Sequence, residues 1–286
     1  MANLKIIRNR ITSVKGTQKI TRAMKMVAAA KLRRAQENIL ALRPYAKDVM
    51  EVLADVAART DAEDHPLLAR REPKRVMLVV LTSDRGLCGG FNSNITRYCE
   101  EYIREHGSEH DEISLAIVGR KGRDYFRRRD VTIRHELMGI FEDLDYRKAE
   151  SVAHKIIHEY NRGDLDAVFL VYNEFKSVIS QKVVVEPLLP ITPTEVAEGG
   201  VEFIYEPSKE ALLDTLLPMY VEVEVYRALL ESVASEFGAR MTAMENATKN
   251  AAEMIESLTL QYNKARQAAI TSELMEVVSG AEALKG

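Results

Sequence analysis

The sequence predicts an α/β protein in which a long antiparallel coiled coil of N- and C-terminal helices accompanies a central Rossmann-like domain with a mostly parallel sheet. Two seven-residue apolar repeats, over residues 4–56 and 212–279, predict the coiled coil. Between them, β-branched runs alternate with amphipathic stretches, which predicts the α/β domain. We expect four segments: helix 1–58, linker 59–75, α/β domain 76–206 and helix 207–286.

The first helix is predicted by a stripe that alternates steps of three and four residues. Its members are Leu4, Ile7, Ile11, Val14, Gln18, Thr21, Lys25, Ala28, Leu32, Ala35, Ile39, Leu42, Ala46, Val49, Leu53 and Val56. Three consecutive members, Gln18, Thr21 and Lys25, are polar. Ile20, Met24 and Val27 lie next to them, so the apolar face shifts there and does not disappear. We expect one helix of roughly 80 Å, with a kink or short break at Pro44.

The C-terminal stripe is longer by about twenty residues and predicts a helix of roughly 100 Å. Its members are Leu212, Leu216, Met219, Val223, Tyr226, Leu230, Val233, Phe237, Arg240, Met244, Ala247, Ala251, Met254, Leu258, Gln261, Ala265, Ala268, Ser272, Met275 and Ser279. Ser208 is a plausible N-cap. Because the two helices differ in length, one end of the coiled coil should be a single helix.

The central segment changes to strand periodicity. The predicted strands are 76–81, 114–118, 131–134, 167–175 and 181–186, with an edge strand at 201–205, and the predicted helices are 92–105, 121–129 and 145–161. Alternation of strand and helix indicates a mostly parallel sheet. Pro187, Pro190 and Pro193 should end the domain.

Composition and charge exclude several classes of protein. No stretch reaches the ~18 apolar residues of a membrane span, and helical periodicity from the start predicts no signal peptide. The two cysteines have no metal or redox spacing, which indicates a reducing compartment. Residues 1–36 carry ten Lys or Arg and no Asp or Glu, whereas residues 208–286 have a net charge of −5. The basic segment lacks interleaved aromatics, so an acidic protein surface is favoured over nucleic acid as its partner.

A glycine-rich turn at residues 82–92 follows the first strand and opens a helix. It lacks the Gly-Lys-Ser/Thr of a P-loop and the spacing of a dinucleotide fingerprint. Gly86-x-Cys88-x-Gly90 matches the frame of a nucleophile elbow with cysteine in place of serine. The alternative function is therefore a small Cys-dependent α/β hydrolase, with His135, His154 or His158 as base. A tight turn whose glycines permit positive φ is the structural explanation.

The histidines do not predict a metal site. His154 and His158 share a helix face, as do His106 and His110, but neither pair has an obvious third ligand in the sequence. We expect all four to be surface residues.

Three segments resemble the gamma subunit family of F-type ATP synthases. They are TQKITRAMKMVAAAK at 17–31, SDRGLCGGFN at 83–92 and YNKARQAAITSE at 262–273, the last running on to VSGA at 278–281. The three occur in the family's order and extend over the whole chain. The layout of two terminal helices around a small α/β domain is similar as well.

The resemblance implies the central rotor shaft of a proton-translocating ATP synthase, which couples rotation of the membrane c ring to conformational cycling of the catalytic beta subunits. The implied partners are three alpha and three beta subunits, the epsilon subunit and the c ring, with no nucleic acid. The chain itself would hold no catalytic residue, cofactor or metal.

The resemblance also implies contact residues. Met24 would meet a beta-subunit lever, although it could equally be coiled-coil core. Arg266, Gln267, Thr271 and Glu273 would grip a beta-subunit catch. Tyr205 and Glu206 would belong to the foot near the c ring and epsilon.

The cysteine-containing loop of chloroplast members is absent, because the stretch 192–201 is short and has no cysteine. We expect a bacterial plasma membrane location, peripheral and on the cytoplasmic face, with membrane association through the c ring. The sequence leaves open the direction of the motor, the coupling ion, the mode of epsilon inhibition and the stability of the isolated subunit.

Overall fold

The computed structural model describes residues 2–58, 65–192 and 209–283. In chain order the elements are α1 Ala2–Ala58, β1 Arg75–Leu81, α2 Phe91–His106, β2 Glu112–Val118, α3 Arg120–Phe126, β3 Thr132–Leu137, α4 Tyr146–Asn161, β4 Ala167–Phe175, β5 Gln181–Leu189 and α5 Lys209–Ala283. The predicted fold class is confirmed: long terminal helices accompany a central, mostly parallel sheet. The edge strand at 201–205 and the Ser208 cap lie outside the described residues, and the four-segment division stays a prediction.

The chain forms two compact units, residues 28–240 and residues 1–27 together with 241–286. In the larger unit, five strands form one sheet in the order β3-β2-β1-β4-β5. Neighbouring strands pair in parallel from β3 to β4, and β5 is antiparallel to β4. The central strand β1 is buried on both faces, which explains its unbroken apolar run.

Two apolar cores lie on opposite faces of this sheet. One face packs Met77, Val79 and Leu81 against residues of α4 and α5, including Ile156 and Leu229. The other face packs Val76, Leu78 and Val80 against side chains of α2 and α3, including Ile95 and Phe126. Period-two alternation along β1 therefore supplies both cores.

The helix α5 passes close to the turn between β4 and β5. Gly238 is buried there, and a Cβ atom at this position would lie 3.1 Å from the Phe175 ring. The backbone of Val178, in the same turn, would be 3.6 Å away. A glycine is therefore what allows this close approach.

Two predictions about prolines were wrong. We expected a strand end before Pro187, but β5 continues through it to Leu189. An edge strand tolerates proline because one side of its backbone needs no ladder hydrogen bond. We also expected a kink or a short break at Pro44; the break is wrong, because α1 continues across this residue, as α5 does across Pro218, and the kink stays a prediction.

In the smaller unit, α1 and α5 pair in antiparallel fashion. The Thr21 and Thr248 hydroxyls are 2.8 Å apart, and Lys25 Nζ lies 2.8 Å from Glu245 Oε1. Each step toward the start of α1 is matched by one toward the end of α5, so Ala2 comes level with about residue 267. The described residues of α5 beyond that point have no α1 residue opposite them.

The predicted stripes agree with burial except at the end of α5. Every stripe position on α1 from Leu4 to Val56 is buried or half-buried, and so is every α5 position from Leu212 to Ala251. Between Ala251 and Ala269, every second stripe position is exposed, and the residue that follows it in the sequence is half-buried in its place. Met254, Gln261 and Ala268 are exposed, whereas Ile255, Tyr262 and Ala269 are half-buried. The shift exchanges the polar Gln261 for the large apolar ring of Tyr262.

Candidate functional site

The glycine-rich turn between β1 and α2 is held by side-chain hydrogen bonds. Ser83 donates its backbone N–H to Asn92 Oδ1 at 2.9 Å and its hydroxyl to the Arg85 carbonyl at 2.6 Å. Positive φ angles occur at Leu87 and Gly89. The expected left-handed turn is present, but one of its two left-handed positions carries a leucine.

The Cys88 thiol is buried inside this turn and is not poised as a nucleophile. It lies 3.2 Å from Asn92 Nδ2 and has weak contacts with Ser83 Oγ and the Arg85 carbonyl. Burial raises the pKa of the Cys88 thiol, and the nearby Glu236 carboxylate raises it further. A reactive cysteine needs a lowered pKa and an adjacent base.

Two of the three candidate bases, His135 and His154, have carboxylate partners of their own. His135 Nε2 lies 2.6 Å from Glu159 Oε1, and His154 Nε2 lies 3.0 Å from Glu222 Oε1. Among the residues that the structure describes, the hydrogen-bond partners of Cys88 do not include a histidine. The Cys-dependent hydrolase is therefore not supported.

A buried ion pair on α5 supports the turn from outside. Glu236 and Arg240 are ion-paired one helical turn apart, and each side chain is only 10% exposed. Arg240 Nη1 also donates to the Gly86 carbonyl at 2.7 Å. This contact was not predicted from the sequence, although the charged Arg240 on an otherwise apolar stripe is a signal for it.

Met24, the residue predicted to contact the beta-subunit lever, lies in the smaller unit. Met24 is half-buried beside the pairing residues Thr21 and Lys25 of α1. The neighbouring Met26 and Val27 are exposed. Met24 is therefore partly covered in the helix pair and partly open to a partner, and both roles considered for it stay predictions.

The residues predicted to grip the catch lie near or beyond the end of the α1–α5 pairing. Arg266, Gln267, Thr271 and Glu273 are all exposed. The Thr271 hydroxyl donates to the Gln267 carbonyl at 2.9 Å, within the helix. Tyr205 and Glu206 lie outside the described residues.

The exposed end of α5 also carries large apolar side chains. Leu274, Met275, Val277 and Val278 are all exposed, Val277 to 72%. In the described ranges, none of the helices has a stretch long and apolar enough to cross a bilayer.

Comparison with known proteins decides the family. The sequence profile of the ATP synthase family matches residues 3–284. An ATP synthase gamma chain of Anaeromyxobacter sp. (strain Fw109-5) is 58% identical, and one of Geobacter sp. (strain M21) is 54% identical, each over the full length of both chains. The chain belongs to the ATP synthase gamma chain family.

Solved structures agree with this membership. A chain from the central stalk and c-ring structure of the Tetrahymena thermophila mitochondrial ATP synthase is 31% identical, with a TM-score of 0.61. The match covers 80% of this chain and 99% of that one. A chain of the Euglena gracilis mitochondrial enzyme, 21% identical, has the same fold with a TM-score of 0.66 over 99% of this chain and 95% of that one.

The gamma-chain membership settles the broad role. The chain is the central rotor shaft of an ATP synthase, a membrane-associated complex, and it is a non-catalytic subunit. Its functional surfaces are therefore those that contact other subunits.

Proposed function

We propose that this shaft couples rotation of a c ring, driven by protons, to conformational cycling of the catalytic beta subunits. Its partners would be three alpha and three beta subunits, an epsilon subunit and the c ring. The complex would sit at the cytoplasmic face of a bacterial plasma membrane, with this chain peripheral and attached through the ring. The full-length bacterial relatives support this location.

The observation that carries the proposal is the exposed end of α5. Large apolar side chains at positions 274, 275, 277 and 278 face solvent on a helix without an α1 partner. Contiguous exposed apolar surface marks an interaction site. A collar of alpha and beta subunits around this segment would cover it while presenting few charges to a turning surface.

The basic start of α1 supports a second contact. It carries ten Lys or Arg before its first acidic residue, Glu37. On the described part of this stretch, Lys25 forms an ion pair with Glu245, but most of the cations face solvent. An acidic beta-subunit lever would be attracted to this face, with Met24 at its edge.

We assign the catch contact to Arg266, Gln267, Thr271 and Glu273. Their exposed polar groups could form hydrogen bonds or ion pairs with a partner subunit, and the helix fixes the spacing between them. The foot contact with the c ring and epsilon is assigned to Tyr205 and Glu206 on the family resemblance alone.

The test is a set of variants in the assembled enzyme. In inverted membrane vesicles, we would measure ATP synthesis, ATP hydrolysis and proton pumping for R266A/Q267A/T271A. Losing two or three hydrogen bonds of about 1 kcal/mol each would slow the coupled reactions by about tenfold or more. Complex assembly, checked by gel filtration, should be retained.

The matched control is K249A/E256A, which changes two exposed residues of the same helix outside the assigned contact. It should leave all three rates near wild type. Equal effects in both variants would contradict the catch assignment, while a purified chain that never associates with other subunits would contradict the proposed function itself.

A further inference from the structure

Three side chains of the metal-ligand type meet where α4 lies against α5, inside the unit of residues 28–240. Glu150, His154 and Glu222 each offer one ligand atom, and these atoms all lie within 4.8 Å of one another. His154 Nε2 lies 3.0 Å from Glu222 Oε1. We call these three residues the α4–α5 cluster.

The helices explain why the cluster forms. Glu150 and His154 are four residues apart on α4, so their side chains share one face. Glu222 comes from α5, 68 residues further along the chain. Glu222 could therefore not be predicted as a ligand from the residues close to His154 in the sequence.

A fourth residue holds one ligand in place. The Tyr146 hydroxyl, one turn before Glu150, donates a 2.7 Å hydrogen bond to Glu222 Oε2. This leaves Glu222 Oε1 directed at His154. Orientation of a ligating carboxylate by an outer hydrogen-bond donor is a regular feature of metal sites.

The charges of the cluster are unbalanced. Glu150 and Glu222 place two carboxylates close together, and in the described ranges neither forms an ion pair with a lysine or arginine. Like charges at this distance repel each other. The Glu222 side chain is only 13% exposed, which weakens screening by water, while His154 is 58% exposed and keeps the cluster open to ions.

We propose that the α4–α5 cluster binds a divalent transition metal ion, with Zn²⁺ as the best fit. Zn²⁺ accepts histidine nitrogen and carboxylate oxygen as ligands, and zinc sites with three protein ligands hold water in the fourth position. Mg²⁺ and Ca²⁺ prefer oxygen ligands alone and suit the histidine less well. The ion would join α4 to α5, and so tie the α/β domain to the shaft helix.

The experiment uses the full chain with any affinity tag removed, because a histidine tag would bind the same ions. Zn²⁺ binding is measured by isothermal titration calorimetry, and Co²⁺ absorption reports the coordination geometry. Both cysteines are buried, so they do not compete in the folded protein. Thermal unfolding with and without Zn²⁺ gives a second readout, because an ion that binds only the folded state raises Tm.

The expected result is one Zn²⁺ per chain with micromolar affinity and a rise in Tm of several degrees. His154→Gln and Glu150→Gln should each weaken binding by at least tenfold and remove the Tm shift. The matched control is His158→Gln, on the same helix one turn away, which should bind like the wild type. Circular dichroism verifies that each variant is folded.

Two outcomes would overturn the proposal. One is absence of saturable binding, with Tm unchanged by Zn²⁺, which would leave the His154–Glu222 contact as a structural contact only. The other is equal binding by His154→Gln and the wild type, which would place the ion elsewhere. Both outcomes are independent of whether the rotor complex assembles.

Discussion

Replacing Arg240 with methionine would leave the Glu236 carboxylate buried without its cation. Both side chains are 10% exposed, and Arg240 also bonds the Gly86 carbonyl. Breaking a buried pair from one side costs about 3–5 kcal/mol. Because a domain is stable by only about 5–15 kcal/mol, we expect Arg240→Met to remove a large share of the unfolding free energy.

The pH dependence follows from the Glu236 carboxyl. Burial raises its pKa, and Arg240 opposes that rise. The folded state therefore keeps this proton to a higher pH than the unfolded state, and stability falls as pH rises through the interval between the two pKa values. Without Arg240 the interval extends upward, so the variant's deficit should be larger near pH 8 than near pH 5.

The assay is urea unfolding of the full chain, followed by tyrosine fluorescence because the sequence has no tryptophan. Arg33→Met is the control, since Arg33 is 82% exposed and pairs with Glu37 at the same i, i+4 spacing. It should cost no more than about 0.5 kcal/mol. E236Q/R240M removes both charges and should recover much of the loss, short of the roughly 2 kcal/mol of the charge-assisted hydrogen bond to the Gly86 carbonyl.

The reasoning would be refuted if Arg240→Met cost no more than Arg33→Met. It would equally be refuted if the deficit of Arg240→Met did not change with pH.

Two further predictions test backbone and pairing geometry. Gly119→Ala should lower the unfolding free energy by well over the roughly 1 kcal/mol expected from positive-φ strain, because its Cβ would overlap a backbone carbonyl oxygen. Gly139→Ala is the control, since Gly139 also has a positive φ but has open space around it. In the same urea titration, Gly139→Ala should show the cost of the strain alone. Mild oxidation should cross-link T21C/T248C, whose hydroxyls touch in the native pair, but not T12C/T248C, as read by non-reducing electrophoresis; the reverse result would mean that the helix register is wrong.

Local periodicity was enough to predict most of the fold. The two heptad stripes located α1 and α5, and the apolar run of β1 identified the buried central strand. These signals depend only on neighbours along the chain. The shift after Ala251 was missed because a strict count selected Gln261 where the structure half-buries the adjacent Tyr262.

The contacts between distant elements could not be predicted. Glu222 reaches His154 across 68 residues, and Arg240 reaches the Gly86 carbonyl across 154. Neither contact produces a periodic pattern in the sequence from which it could be predicted. The resemblance to a family supplied the candidate contact residues, and these stay predictions until variants of the assembled enzyme are measured.

Gly238 has a mechanical consequence for a helix that carries torque. A glycine inside a helix costs about 1 kcal/mol relative to alanine and makes the backbone easier to twist locally. Here the turn between β4 and β5 lies directly against that position, and a Cβ atom added there would meet the Phe175 ring, the Gln181 side-chain amide and the Val178 backbone. Contact with the β4–β5 turn therefore supports α5 from outside the helix at Gly238, where its backbone would otherwise be easier to twist.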